Sequence, residues 1–391
     1  MKHFETDLGN RLQTLRDRGL YRQLTRVDSA PSRTIEIAGR NLLNFSSNDY
    51  LGMAGEPSLK EASIRAVERF GAGAGASRLL SGSLSPHHEL EETLAGFKGA
   101  EAALSFATGY AAAIGTLVAL LGNDDVVILD KRVHACIVDA ARLCGARLRV
   151  FAHNDLEDLQ SILQWAATRR PPPRVLVVTE SVFSMDGDAA PLRDLVSLKE
   201  QYGAWLMVDE AHATGLYGAN GRGLAEELGV EERIEIRMGT LGKALGASGG
   251  FICGSQRLID LLVNGARSFI FSTAPVPAAA AAATAGIRFV QSPSGVERRA
   301  MLWQRVDDLR ARWMRPESEF RSAILPRIIG DEAEAVGAGV ALRERGFFLP
   351  AVRFPTVPRG QARLRLTLTA AHTPDDVARV AAALEELQTK R

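Results

Sequence analysis

The sequence predicts an α/β protein, with a large domain of mostly parallel β-sheet sandwiched by helices and a smaller α+β domain after it. From about residue 58, short apolar runs bounded by turn signals alternate with helical segments. Such runs require crossover connections, which cover both faces of a parallel sheet. At 391 residues the chain is also too long for one small core and has the length of two or three domains.

In chain order, Leu8, Leu12, Leu15 and Leu20 recur among charges at roughly helical spacing and predict an amphipathic helix, which Asp28-Ser-Ala-Pro31 ends. Residues 34–45 read as a hairpin turning at Ala38-Gly39. A helix is expected over 89–97 and strands over 102–106, 125–129, 147–151, 174–179, 205–209 and 234–238. Pro171-Pro-Pro173 stiffens the approach to the strand at 174. Pro275-Val-Pro277 and the alanine-rich helix from Ala278 mark the passage into the smaller domain, which holds helices over 301–314 and 333–345 and a strand over 362–368. The expected divisions are a helix-and-hairpin segment 1–45, a large domain 46–280 and a small domain 281–391.

Charge and cysteine usage exclude several function classes. With 47 basic and 46 acidic residues the net charge is +1, so no nucleic-acid or anionic-membrane surface is expected. Cys136, Cys144 and Cys253 are widely spaced and odd in number, which fits reduced, buried thiols and no metal site. Charges stand in Met1-Lys-His-Phe-Glu-Thr-Asp7 where a secretory signal has its apolar core, and no apolar run is long enough to cross a membrane. A cytoplasmic location is expected.

Short motifs are discounted on spacing. Gly71-Ala-Gly-Ala-Gly-Ala-Ser77 lacks the third glycine of a dinucleotide fingerprint and reads as a turn that lets backbone pass near a ligand. Gly239 to Lys243 has too few residues between its glycines for a nucleotide P-loop. His87-His88 reads as a pair of surface histidines at a helix start. Gly246-Ala-Ser248-Gly-Gly250 matches the serine-hydrolase pattern but precedes a strand, with only His372 downstream as a base.

The surviving constellation centres on Lys243, in Gly239-Thr-Leu-Gly-Lys243-Ala-Leu-Gly after a strand. A lysine in a glycine-dense turn at a sheet edge can condense with an aldehyde. Asp209, ending Trp205-Leu-Met-Val-Asp209, is placed to hold the ring nitrogen of pyridoxal phosphate. Thr240, Ser184 and the helix-opening Gly109-Tyr110 suit a phosphate, His134 suits a ring lid, and His212 suits a donor to the ring's phenolic oxygen. All fall at predicted strand ends, where open α/β sheets collect ligands. A pyridoxal-phosphate enzyme follows, and an aminotransferase or a cofactor-free hydrolase remains an alternative.

The runs Asn44-Phe-Ser-Ser-Asn48-Asp-Tyr50, Thr179-Glu-Ser-Val-Phe-Ser184-Met-Asp-Gly-Asp188, Val208-Asp209-Glu-Ala-His212, Thr240-Leu-Gly-Lys243 and residues 355–372 resemble the α-oxoamine synthases. These are fold-type-I pyridoxal-phosphate enzymes that join an amino acid to an acyl thioester with loss of carbon dioxide. The resemblance spans nearly the whole chain. Phe151-Ala-His153-Asn154 and residues 355–372 are most similar to the member of biotin biosynthesis, which implies L-alanine and a pimeloyl thioester, on coenzyme A or a carrier protein, as substrates. The lysine motif is shared with sister enzymes that make aminolevulinate, 2-amino-3-oxobutyrate or 3-oxosphinganine. Glu210 and Ala213 depart from the residues common in the family.

The resemblance further implies that Lys243 carries the cofactor, Asp209 pairs with its ring nitrogen, His134 stacks on it, and His212 hydrogen-bonds to it. Gly109, Tyr110, Ser184 and Thr240 would hold the phosphate. Ser272 and Thr273 would reach the phosphate of a neighbouring subunit, which implies a homodimer. Asn48 and Arg365 are implied for the amino-acid carboxylate, with Arg353 competing, and Arg22 and Thr356 for the acyl substrate.

Overall fold

Every second side chain of a strand points to the opposite face of its sheet, and in the central strands of this protein both sets are buried. Val127 and Leu129 pack in one layer with Leu176, Val178, Met207, Ile236 and Ile252. Val126, Ile128, Val177, Leu206 and Val208 point the other way and are at most 1% exposed. The sheet is therefore covered on both faces, each such aliphatic side chain contributing about 1.5–3 kcal/mol.

The computed structural model describes residues 1–313 and 320–389. Its strands are β1 (Thr34–Ile37), β2 (Arg40–Asn44), β3 (Ala102–Phe106), β4 (Val126–Asp130), β5 (Arg147–Phe151), β6 (Val175–Glu180), β7 (Trp205–Asp209), β8 (Ile236–Thr240), β9 (Gly250–Gly254), β10 (Ile324–Gly330), β11 (Phe347–Phe348), β12 (Ala351–Val352) and β13 (Ala362–Thr367). Its helices are α1 (Lys2–Asp17), α2 (Pro57–Phe70), α3 (Ser85–Lys98), α4 (Gly109–Leu120), α5 (Ala135–Leu143), α6 (Leu156–Ala167), α7 (Leu192–Gln201), α8 (Leu224–Glu227), α9 (Gln256–Gly265), α10 (Arg267–Ile270), α11 (Pro277–Gln291), α12 (Pro293–Trp313), α13 (Glu332–Glu344) and α14 (Pro374–Thr389). The helix expected over 301–314 is the last part of α12, and Met314 lies outside the described residues. Contacts divide the chain into a larger unit, residues 48–184 and 188–301, and a smaller one, residues 1–47, 185–187 and the described part of 302–391.

The larger unit holds a seven-stranded sheet in the order β3-β9-β8-β7-β6-β4-β5. Strands β5, β4, β6, β7 and β8 run parallel, whereas β9 is antiparallel to both β8 and β3. The carboxyl ends of the parallel strands therefore share an edge with the first residue of β9, where Gly250 pairs with Thr240. Helices start where short polar groups satisfy their free N–H groups. Thr108 Oγ1 accepts from Ala111 N (3.0 Å) ahead of α4, and Asp155 accepts from Glu157 and Asp158 ahead of α6.

The boundary expected after residue 280 falls inside α11, which packs on α2 and α3 through buried Ala280, Ala283 and Ile287 and so stays with the larger unit. His87 departs from its expected surface position. Its ring is fully buried, with Nδ1 accepting from Leu84 N (3.1 Å) and Nε2 2.7 Å from Pro275 O, while His88 is exposed. The three cysteines are free and buried.

In the smaller unit Ala38 (φ 51°) and Gly39 (φ 73°) form the turn between antiparallel β1 and β2, the successive left-handed pair that a two-residue hairpin favours. Strand β11 pairs parallel with β2, which groups residues 1–45 with the C-terminal part of the chain. A second sheet has the order β10-β13-β12. His372 stacks on Phe45 at 4.3 Å and donates from Nε2 to Asn44 O (3.1 Å). Burial pushes its pKa down to about 4. Leu8, Leu12 and Leu15 on α1 are exposed, whereas Leu20 is buried. Among the described residues no helix is long and apolar enough to cross a membrane.

Candidate active site

Residues 241–249 leave β8 and return to β9, and their own backbone closes them into a tight loop. Thr240 Oγ1 and Leu241 N both donate to Gly249 O (2.9 Å each), Ala247 N to Leu241 O, and Gly246 N to Lys243 O. Gly246 (φ 68°) lies against Met53, where a Cβ would collide with that residue's Cβ and backbone. Gly246-Ala-Ser248-Gly-Gly250 thus leads into a strand, unlike the strand-to-helix turn of a hydrolase nucleophile.

From this loop the half-buried Lys243 reaches His212, with Nζ 2.8 Å from Nε2. The other ring nitrogen, Nδ1, is 2.6 Å from the hydroxyl of Tyr50, which donates to Asn48 Oδ1 (3.3 Å). Hydrogen placement follows from the ends of this chain. An ammonium at Lys243 donates to Nε2, so Nδ1 carries the ring hydrogen and Tyr50 accepts it while donating onward. Asn48, Lys243 and His212 are thereby brought together. Tyr50 joins them although sequence reasoning singled it out only as part of a motif.

Asp209 ends β7 and is buried, accepting at Oδ1 from Ala211 N (2.9 Å). Burial raises its pKa, opposed by the charge of Lys243, the Ala211 N–H and His134. Directly across the ladder stands Glu180, the last residue of β6. Its Oε2 accepts from Ser184 N (3.1 Å), and its buried Oε1 has no hydrogen-bond partner. Burial, then the charge of Asp209, pushes Glu180 up to about 8. A charged residue closing an otherwise apolar strand is the sequence signal that could have found Glu180. His134 caps α5, accepting at Nδ1 from Cys136 N (3.2 Å); partial burial lowers its pKa, Asp209 raises it and Lys243 lowers it.

Gly109 opens α4, and a Cβ placed on it would lie 4.0 Å from Thr240 Cβ, so the two expected phosphate residues are neighbours. A Cβ on Gly250 would meet the Cα and N of Gly109 at 2.5 Å, so only glycine lets the start of β9 touch the start of α4. The N–H groups of that helix start are suited to an anion. Tyr110 is exposed and donates to Asp139 Oδ2 (2.7 Å). Ser184 is buried beyond β6. Ser272 and Thr273 follow α10, where Thr273 bridges to Ser77 of the glycine-rich stretch and Ala274 N donates to Ala76 O (3.0 Å).

These residues fit pyridoxal phosphate. A buried acid suits a protonated ring nitrogen, a helix start beside a hydroxyl suits a phosphate, and an amine in a loop suits an aldehyde. Glu180 Oε1 is, in addition, a buried acceptor that the protein itself leaves unpaired.

The remaining expected residues belong to the smaller unit. Arg353 donates to Gly19 O and to Tyr21 O (2.8 Å), and Arg22 donates to Phe354 O (2.8 Å). Burial and the charge of Arg22 lower the pKa of Arg353. Thr356 is exposed, its N–H bonded to Arg353 O (3.1 Å), so Arg22, Arg353 and Thr356 form one group. Arg365 is buried on β13. Its neighbour Arg363, absent from the expectations, donates to Asp186 Oδ1 (2.7 Å) and Met185 O (3.2 Å).

Residues 40–384 match the family model described as aminotransferase class I and II. The chain is 48% identical to the 8-amino-7-oxononanoate synthase of Anaeromyxobacter dehalogenans, covering 96% of this chain and 94% of the relative. It is 45% identical to that of Geobacter sulfurreducens, with 97% of each covered. Among solved structures, serine palmitoyltransferase from S. paucimobilis with bound PLP-myriocin superposes with a TM-score of 0.91 at 32% identity, covering 98% of this chain and 97% of that one. The 8-amino-7-oxononanoate synthase of Francisella tularensis superposes with a TM-score of 0.74 at 27% identity, covering 89% and 97%.

Proposed function

We propose, since the chain belongs to the aminotransferase class I and II family, that it is a pyridoxal-phosphate-dependent acyltransferase condensing L-alanine with a pimeloyl thioester. The products are 8-amino-7-oxononanoate, carbon dioxide and the free thiol carrier, coenzyme A or a carrier protein, and the reaction serves biotin biosynthesis. The relatives of 43–49% identity carry that activity in their names, whereas the serine palmitoyltransferases stand at 32%, which favours pimeloyl over a long-chain acyl group.

One observation carries the reading: a lysine amine 2.8 Å from a buried histidine, beside a buried aspartate on the adjacent strand. The bound cofactor supplies an aldehyde that accepts an amine and a protonated ring that draws electron density from the carbon beside it. Asp209 keeps the ring nitrogen protonated, its carboxylate pairing with the N–H. His134 covers the ring face. Gly109, Tyr110, Ser184 and Thr240 hold the phosphate with backbone amides and hydroxyls. His212 would orient the phenolic oxygen of the bound cofactor, and in the cofactor-free protein it holds the Lys243 amine.

Lys243 then acts as the base that takes the α-proton of alanine and later returns a proton to the same carbon. Asn48 and Arg365 bind the alanine carboxylate, the guanidinium through two parallel bonds, with Arg353 as its alternative. Arg22 and Thr356 bind the acyl substrate. Ser272 and Thr273 complete the phosphate site of a second subunit in a homodimer. The exposed Phe271 next to them, 71% accessible in one chain, supports an apolar contact there. The enzyme works in the cytoplasm.

The test is carbon dioxide release from alanine with acyl thioesters that vary in length and terminal carboxylate, in wild type and Lys243→Ala. Pimeloyl thioester is the expected preferred acyl donor, and the variant is expected to lose multiple turnover. Preference for palmitoyl or succinyl thioester would reject the substrate assignment, and turnover by Lys243→Ala at the wild-type rate would reject the role of the lysine.

A further inference from the structure

The run Phe151-Ala-His153-Asn154 plays no part in the chemistry above, yet its histidine sits between two carboxylates. His153 Nδ1 lies 2.9 Å from Asp130 Oδ1, and Nε2 lies 2.7 Å from Asp188 Oδ2. Carboxylate oxygens only accept, so a ring engaged at both nitrogens donates from both and carries a positive charge. The ring makes a T-shaped contact with Phe183, the centroids 4.4 Å apart and the planes at 86°.

The Asp130 carboxylate is fixed at both oxygens, whereas Asp188 Oδ1 is buried without a hydrogen-bond partner and Asp188 is held through its main chain. Asp130 Oδ1 also accepts from Arg132 N (2.7 Å), and Oδ2 from Asn154 N (2.9 Å). Asn154 holds a left-handed backbone (φ 56°) and donates from Nδ2 to Ala189 O (3.0 Å). Phe183 N donates to Asp188 O (2.9 Å), and Val182 pairs with Ala189. Three strand ends thus meet at one ring: β4 through Asp130, β5 through His153, and the segment after β6 through Asp188.

What these ends carry gives the network a purpose. Asp130 stands four residues before His134, and Asp188 four residues after Ser184. We propose that His153 is a positioning residue, a cationic clamp that sets the spacing between the histidine covering the cofactor ring and the serine holding its phosphate. This rests on the pyridoxal-phosphate reading of the site. Burial alone lowers the pKa of this ring, but the bonds to Asp130 and Asp188 outweigh it and hold the value near about 9. The clamp is therefore charged throughout the neutral range.

Two measurements test the clamp. Histidine-selective nitrogen NMR on the wild-type protein at pH 7 is expected to find one ring protonated at both nitrogens, and its signal absent in His153→Gln. In His153→Leu the dissociation constant for pyridoxal phosphate, followed by visible absorbance, is expected to rise at least tenfold. The value of kcat should fall at least tenfold while KM for the amino acid stays within threefold. Asp188→Asn keeps an acceptor and loses the charge, and two- to fivefold effects are expected.

A neutral His153 ring at pH 7 overturns the proposal. So does a folded His153→Leu or His153→Gln protein with wild-type cofactor affinity and kcat, whatever its melting temperature. Should His153→Leu fail to fold, His153→Gln and the NMR signal decide. A wild-type protein that takes up no cofactor would refute the functional reading, and the protonation state of the ring would still decide the clamp.

Discussion

Glu180 and Asp209 are register partners on adjacent parallel strands, two buried acids side by side at the edge of the sheet. Such a pair resists double ionisation. Glu180 titrates near about 8, against an ordinary value of 4.5. A carboxyl whose pKa is raised by folding favours the folded state below its unfolded pKa, and that contribution is lost as pH rises through the folded value. The cofactor-free wild type is thus expected to lose melting temperature between pH 4.5 and about 8, and Glu180→Gln to lose distinctly less. Parallel curves from pH 4 to 9 would contradict this.

Tyr50 links His212 to Asn48. In Tyr50→Phe the Nδ1–H of His212 is left buried without its acceptor, a cost of about 1–2 kcal/mol. The expected result is a kcat lowered roughly five- to thirtyfold, with a circular-dichroism spectrum like that of wild type. An unchanged kcat would mean that the imidazole needs no such support.

Gly246 combines a left-handed backbone with direct contact on Met53. Alanine there adds both backbone strain and overlap, about 1–3 kcal/mol each. Gly246→Ala is expected to lower the urea midpoint and to weaken cofactor binding, because the loop that bears Lys243 must shift. Equal midpoints would show that the loop has slack.

Lys98 and Glu210 form an ion pair 1% exposed on each side, at 2.6 Å, with further bonds from Lys98 to Arg222 O and from Ala225 N to Glu210. Lys98→Met strands a buried carboxylate, and about 3–5 kcal/mol of stability should be lost in chemical denaturation. The double change Lys98→Met and Glu210→Leu is expected to recover part of the loss. A milder single variant would indicate that water reaches Glu210.

The strands of the larger unit were legible because their apolar runs are short and end in turn residues, and Lys243 and Asp209 because charge at such ends is conspicuous. Tyr50 was harder to read. An aromatic hydroxyl gives no local sign that a histidine 162 positions away will face it. Glu180 also closes an apolar strand, but only the ladder puts Asp209 beside it. His87 reads as a surface residue in the sequence because its partner, Pro275 O, lies 188 positions away. The place of residues 1–45 depends on pairing between β2 and β11, which periodicity within either segment does not reveal.

Because Thr240 and Gly250 are paired neighbours, the segment bearing Lys243 is stitched to the sheet at both ends. Its main chain cannot swing away without tearing a central ladder. In the proposed reaction, movement of the Lys243 amine would then be left to the rotors of one aliphatic stem, over a main chain that stays in place.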